Sequence, residues 1–394
     1  MLHRADILIA GAGPAGSTAA KLLADRGYHV VLIDRAIFPR HKTCASWINR
    51  LAIERFPYLK PHLEELVESP FCGVTFYDSS LDRSATFAEG RPSGYLSLRA
   101  KFDDGLRRIA VEAGAEFYEG RNVASVEQDG HEVQVRTTQG CIFRGRVLIG
   151  ADGASSRVAM SAGLHRGWKH DDYVMCANAD VPYDPEKIAR FFGSRIPLQV
   201  YLQYRRLLGY GWIFPKKRHI CVGLGAMLAD NRRIRPLFNN FFGEARQHGL
   251  LPRDLELQGT RFDVDPVGAV HRLPSLTRGR VMLIGDAAGF VSGSTGEGIY
   301  PGMVSAEVAS AVIHRALSKG AVEEQLAEFN NAWRPPLESY VRRLPGGEKE
   351  THTSQRINLI FRSALLARVA GRIFLYGEQP SLKTFARCLW PASG

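Results

Sequence analysis

One stretch near the N-terminus constrains the fold more than any other. "ADILIAGAGPAGSTAAKLLADRGYHVVLIDR" runs from an apolar segment through a glycine turn into a helical segment, then into a second apolar segment ending at Asp34. Ala19, Ala20, Leu22, Leu23 and Ala24 supply the packing side of the helix, and Gly27 ends it. Two buried parallel strands joined by a crossover helix are the opening unit of a dinucleotide-binding fold. Gly11, Gly13 and Gly16 spell GxGxxG, a weak signal alone. It becomes specific because it follows a strand, opens a helix at Pro14 and Ala15, and is answered by an acidic residue at the end of the next strand. The first glycine allows the tight turn, the second lets backbone approach a pyrophosphate, and the third lets helix and strand pack closely. Amides at the helix N-terminus receive the anion. Asp34, with Arg35 after it, is placed to accept from ribose hydroxyls.

Two later segments repeat this grammar. "RVLIGADGASSRV" is an apolar strand running into a turn that carries Asp152, Gly153 and Arg157, and "GRVMLIGDAAGF" ends a strand at Gly285 and Asp286. Three separated strand turns meeting one ligand suit a long cofactor, FAD. The fold expected is α/β: a Rossmann-type FAD-binding domain with an inserted antiparallel-sheet substrate domain and a helical C-terminal tail. Residues 1–70, 97–165 and 262–320 are assigned to the first, 71–96 and 166–261 to the second, and 321–394 to the tail. The inserted segments earn their assignment from alternating patterns such as "LQVYLQY" and "HICVGLG".

Composition narrows the class. With 394 residues, 45% of them hydrophobic and 23% charged, the chain can bury a large core and is not disordered. Its +11 net charge favours anionic partners, yet no nucleic-acid module is present. The excess is partly local: from residue 356 onward there are six Lys or Arg against one Glu. There, Arg356, Arg362, Arg368 and Arg372 accompany a rich apolar set. Such a segment is either a helix packed on the protein or a basic surface that docks on anionic membrane. Six scattered cysteines without CxxC spacing or a matching His argue against a metal site and for a reduced compartment. A cytoplasmic protein, peripheral at most to the inner membrane face, is the expectation, since no secretory pattern or spanning run appears.

An aromatic stretch carries a family resemblance. In "GYGWIFPKKRHICVGLG", Tyr210, Trp212, Phe214, Pro215, Gly223 and Gly225 form Y-x-W-x-F-P-x7-G-x-G. The chain thereby resembles the geranylgeranyl reductase family of FAD-dependent oxidoreductases, within the larger group related to para-hydroxybenzoate hydroxylase. The resemblance covers about residues 4 to 310. It implies that the aromatic strand lines a lipid-substrate cavity, and strand alternation puts all three rings on one face. It implies further that "GDAAGFVSGSTGEGI" runs from the cofactor phosphates to the flavin ring, with Gly293, Gly296, Gly298 and Ile299 beside the ring. Arg99, opening a helix with Phe102 and Asp103, matches the family's cofactor-contacting arginine, and Val123 falls where backbone meets the adenine. After the second strand the family carries K-x-C-G over the flavin. Lys42, Thr43 and Cys44 match that element, while Ala45 stands in place of the glycine. Cations at Arg40, His41 and Lys42 suit Cys44 to giving or shuttling a proton. Cys44, Tyr210 and Trp212 are therefore the catalytic candidates.

The implied reaction is hydride transfer from reduced FAD to a carbon-carbon double bond of a polyprenyl lipid, with a site acid or water completing the addition. Two alternatives use the same fold. One is a monooxygenase that hydroxylates an aromatic or polyketide; many of these carry a histidine where this chain has Gly289. A halogenase fits less well, because W-x-W-x-I-P is absent. The other is an electron-transfer flavoprotein passing electrons to a quinone, which needs a separate redox partner because no iron-sulfur cysteine set is present. With no second GxGxxG, the electron donor stays open among NADPH, ferredoxin and a reduced flavin.

Overall fold

Four apolar tetrads and triads, Ile7–Ala10, Val30–Ile33, Val147–Gly150 and Val281–Leu283, have every residue buried, which is what strands covered on both faces require. In the computed structural model, which describes residues 2–168, 173–193, 196–227, 234–268, 273–293, 295–341 and 357–389, they form the centre of a six-stranded sheet. Its order is Thr277–Arg278, Val281–Leu283, Val147–Gly150, Ile7–Ala10, Val30–Ile33, Glu116–Tyr118, parallel except at the first strand. The three glycine-bearing strand turns therefore leave the same carboxyl edge of neighbouring strands, the ligand edge of an open α/β sheet. Helices Pro14–Ala24 and Ile299–Lys319 pack together beside it. This sheet, with a smaller four-stranded one, belongs to a unit built from Met1–His41, Ala100–Asp172 and Gly268–Arg342.

The second unit comprises Lys42–Arg99, Tyr173–Val267 and Arg343–Gly394. Its seven-stranded sheet runs Asp263–Gly268, Tyr173–Pro182, His219–Met227, Leu208–Pro215, Leu198–Leu202, Gly73–Tyr77, Ser84–Ala88. The expected antiparallel character holds in four of its pairings, and one pairing among the described residues departs from it. Leu198–Leu202 pairs in parallel with Gly73–Tyr77, because the two segments reach the sheet from distant parts of the chain and no hairpin dictates their direction. The sheet has an apolar core on each face. Ile213, Val222, Leu224 and Tyr201 face the helix Ile234–Gln247, whose Phe241 ring seats over Gly211. Trp212, Phe214, Cys221 and Val200 face the other way, toward Trp47, Phe71 and Phe374.

Residues 42–70, read from the sequence with the cofactor domain, lie in this second unit, and the C-terminal segment is shared out. Asn49 explains the first difference: its Oδ1 accepts from Leu51 N at 2.9 Å, capping the helix Arg50–Arg55, and its amide donates to Leu375 O. Tyr376 also donates to Glu89, over which Arg50 sits at 3.6 Å. These ties fasten the helix Ala364–Tyr376 to the second unit. The helices Val322–Ala327, Phe329–Ala332 and Arg334–Val341 stay in the first, where Phe329 and Trp333 close around Phe290 at 6.2 and 5.2 Å. Among the described residues, no helix is long and apolar enough to cross a membrane.

Candidate active site

In the first unit the glycines of GxGxxG have different reasons to be glycine. Gly11 has φ +105°, and a methyl group there would stand 2.3 Å from Ala151 O; one on Gly16 would stand 1.8 Å from Gly11 O. Both are demanded by the chain's own backbone. Gly13 is not: it begins the helix with ordinary extended angles ahead of Pro14, and a methyl group there would meet only Arg40 Nη2, at 3.5 Å. Space is kept above Gly13 that the fold itself does not use. Ala15 closes the turn from below, 2.9 Å from where a side chain on Gly285 would begin. The turns after Ile7–Ala10, Val147–Gly150 and Val281–Leu283 thus converge on one helix N-terminus.

Asp34 is buried at the end of its strand and accepts backbone N–H groups from Ala12 at 2.7 Å and Ala36 at 2.8 Å. It is first a brace for the glycine turn, with further lone pairs left for a ribose. Arg35 beside it is exposed. Asp152 serves its own turn: Ser156 Oγ donates to it at 2.5 Å, and Arg157 N and Val158 N at 2.7 and 3.1 Å, holding the start of the helix Arg157–Ser161. Burial pushes its carboxyl up, and those donors pull it back. Gly285, at φ +58°, donates to Ser305 Oγ at 3.0 Å, and the Asp286 carboxylate lies 2.8 Å from where a side chain on Gly298 would begin. Gly298 precedes the helix Ile299–Lys319, Ile299 is buried, and Gly296 is open at φ +71°. Val123 is a buried first residue of the strand Val123–Gln128.

Arg40 is the residue of this cradle that sequence reasoning undervalued. It pairs with the fully buried Asp103 at 2.9 Å, and its Nη1 is buried with no hydrogen-bond partner. A buried unpaired guanidinium N–H beside empty space at a helix N-terminus fits a pyrophosphate. Arg40 follows a proline in a polar stretch, and nothing in its spacing points to Gly13.

In the second unit the aromatic strand is as the alternation required. Tyr210, Trp212 and Phe214 share one face, opposite Gly225, Gly223 and Cys221 respectively. The two glycines are the seat of Trp212: a methyl on Gly223 would stand 2.1 Å from the indole, and one on Gly225 3.5 Å from it. The face is also covered by its own chain. Phe374 lies 5.8 Å from Tyr210 and stacks on Trp47 at 5.3 Å, so Trp212 and Phe214 are buried and Tyr210 half-buried. Next to Trp212 across the sheet, Asn178 presents a buried Oδ1 without a partner.

The Cys44 loop belongs to this face, for Ala45 and Trp47 pack into the same cluster as Trp212, Phe214, Tyr210 and Cys221. Cys44 Sγ accepts Ser46 N at 3.3 Å, and Ser46 Oγ donates to Cys44 O at 3.3 Å. Arg99 opens the helix Arg99–Glu112, half-buried.

Residues 4–343 match the family described as FAD binding domain. The chain belongs to that family. FAD is its cofactor. Among similar proteins is an uncharacterized protein of Methanosarcina barkeri, 30% identical over 82% of this chain and 78% of its own length. A digeranylgeranylglycerophospholipid reductase of Methanosarcina acetivorans is 30% identical over 84% of this chain and 80% of its own. The family resemblance drawn from the aromatic motif is thereby shown. Among solved structures, a geranylgeranyl bacteriochlorophyll reductase-like protein of Thermoplasma acidophilum superposes with a TM-score of 0.76 over 100% of this chain and 98% of that one, at 20% identity. The flavin-dependent halogenase CmlS gives 0.71 over 98% and 76%, at 18%. These two likenesses are of fold alone.

Proposed function

We propose that this FAD-dependent oxidoreductase saturates carbon-carbon double bonds of a prenyl lipid. The observation that carries the proposal is the packing of the Cys44 loop onto the Tyr210, Trp212 and Phe214 face, in a chain whose relatives over four fifths of its length are named digeranylgeranylglycerophospholipid reductases. When bound and reduced, FAD supplies a hydride. The protein supplies the rest. Gly11, Gly13, Pro14, Ala15 and Gly16 with Arg40 hold the pyrophosphate, Asp34 the ribose, and Asp286 with Gly296, Gly298 and Ile299 the remaining length of the cofactor. Arg99, Val123, Asp152, Gly285, Arg35 and Ala45 complete the set assigned to it. The aromatic face excludes water from an isoprenoid chain, with Tyr210 its accessible end.

An isolated alkene accepts hydride poorly, so a proton must reach the second carbon as hydride reaches the first. Cys44 is the donor we assign. Its sulfur accepts the Ser46 N–H, which orients the thiol and leaves the S–H proton to be given elsewhere. The product carries two more hydrogens per double bond, and Cys44 recovers its proton from water.

Anaerobic mixing of the reduced holoenzyme with a geranylgeranyl glycerophospholipid tests this. Flavin reoxidation with a matching gain of two hydrogens per bond in the lipid's mass supports it; reoxidation only on adding oxygen, with an oxygen atom entering an aromatic substrate, replaces it with the monooxygenase alternative. NADPH, ferredoxin and a reduced flavin, offered singly, identify the donor. The proposal includes contact with an anionic bilayer, supported by the +11 charge and by Leu382, 91% exposed at the start of the helix Leu382–Leu389. The four arginines named from the sequence support it less: Arg372 is paired with Glu378 at 2.5 Å, Arg368 donates to Cys388 O at 3.2 Å, Arg362 is exposed, and Arg356 lies outside the described residues. Flotation with anionic against neutral vesicles decides it.

A further inference from the structure

Asn178 and Trp212 stand on either side of Gly223, each directly opposite it, one in the strand Tyr173–Pro182 and the other in Leu208–Pro215. One transverse row of the second unit's sheet therefore reads Asn178, Gly223, Trp212, Val200, Phe76, on the aromatic face. Asn178 is the only polar member of that row. It is 4% exposed, and its Oδ1 has no hydrogen-bond partner. Trp212 is as deeply buried, at 4%, and its indole Nε1 has none either. The Cys221 thiol feels the indole N–H, but sulfur is a weak acceptor and leaves it unsatisfied. A buried orphan donor and a buried orphan acceptor both cost stability, and two of them flanking one glycine ask for a common partner.

Their placement says what that partner is. The indole leans over Gly223 until Nε1 is 2.6 Å from where a methyl group on that glycine would begin, which sets the N–H one strand spacing, about 5 Å, from Asn178. One oxygen atom bridges such a span with two ordinary hydrogen bonds. It has to accept from the indole and donate to the amide oxygen, so it is a hydroxyl; ether and ester oxygens only accept. Water does both, but a buried water usually makes about three hydrogen bonds. This pair offers two, beside an apolar wall that includes Val200 and Phe76. Two polar partners and an apolar wall match an alcohol together with the hydrocarbon it carries.

We infer that Asn178 and Trp212 form a hydroxyl notch in the aromatic face, with Asn178 the residue that selects a lipophilic alcohol. This rests on the proposed reading of that face as the one that carries the prenyl substrate.

The test reads binding and not turnover. The oxidised holoenzyme is titrated calorimetrically with geranylgeraniol and with digeranylgeranylglycerol, each against its own O-methyl ether, so that the alcohol of a prenyl chain and that of a glycerol are told apart. At least one alcohol should bind about tenfold or more tightly than its ether, because the ether leaves Asn178 without a donor. Asn178→Leu should abolish that preference by weakening the alcohol alone. Trp212→Phe removes the donor that both ligands use, and it should weaken alcohol and ether together. The comparison within the parent needs no variant to fold: equal binding of each alcohol and its ether, the result a permanent water would give, overturns the notch. A preference that survives Asn178→Leu overturns it too, as does a folded parent that binds none of the four compounds. Equal binding by a parent that does reduce prenyl double bonds leaves the lipid proposal standing. A preference lost in Asn178→Leu, in a protein that reduces no prenyl lipid, does the reverse.

Discussion

The indole of Trp212 lies flat across Gly223 of the neighbouring strand, so close that a methyl group on that glycine would stand 2.1 Å from the ring. The glycine of the motif is therefore the absent half of a tryptophan pocket. Gly223→Ala should destabilise the protein by about 1–3 kcal/mol through overpacking. Urea unfolding measures this, and a shift in tryptophan emission reports the displaced ring. Combined with Trp212→Leu, most of the loss should disappear, a coupling that two unrelated defects would not show.

The glycines of the cofactor turn should separate folding from binding. Gly11→Ala adds a side chain to a backbone at φ +105° and against Ala151 O, so it should unfold the turn at a cost of order 1–3 kcal/mol. Gly13→Ala meets almost nothing and should leave stability within about 0.5 kcal/mol of the parent. Yet, on the proposed reading, it fills the space for the pyrophosphate, and the purified variant should be colourless where the parent is yellow. Flavin absorbance per protein, read beside the thermal melt, checks both.

Cys44→Ser keeps the size of the side chain and replaces the thiol by a much weaker acid. Flavin content and the rate of flavin reduction should stay unchanged, while reoxidation by lipid slows by about 100-fold or more, the usual worth of a positioned acid. Stopped-flow traces of the two half-reactions separate these effects.

Glu378 ties the C-terminal helices together through Arg372, at 2.5 and 3.0 Å, and Arg387, at 3.2 Å. Burial would raise its carboxyl, but the two guanidinium groups override it and hold it below the ordinary range. A depressed carboxylate stabilises the folded state above its unfolded value of 4.5 and loses that contribution as pH falls through the lower folded value. Glu378→Gln should accordingly melt below the parent at neutral pH, and the gap should close in acid, where the parent's side chain is neutral as well. Melting temperatures across that range are the measurement.

What the sequence determined by itself was everything carried by short-range pattern. Unbroken apolar tetrads marked strands buried on both faces, GxGxxG with Asp34 marked the nucleotide turn, and alternation at Tyr210, Trp212 and Phe214 placed three rings on one side. Each depends on spacing of a few residues, where backbone geometry allows little choice. The tertiary structure decided what depends on neighbours brought from far away in the chain. That Arg40 stands beside Gly13, that Gly223 exists to seat Trp212, and that Phe374 covers the aromatic face are facts of packing between segments that share no local period. The parallel pairing of Leu198–Leu202 with Gly73–Tyr77 was hidden for the same reason. Lys216 is the clearest case: in the sequence it is one of three adjacent cations before a hairpin turn, the pattern of a solvated loop. Only the fold buries its ammonium against Asp180, because an ion's cost or use is set by the dielectric and the charges around it, which a linear chain does not contain.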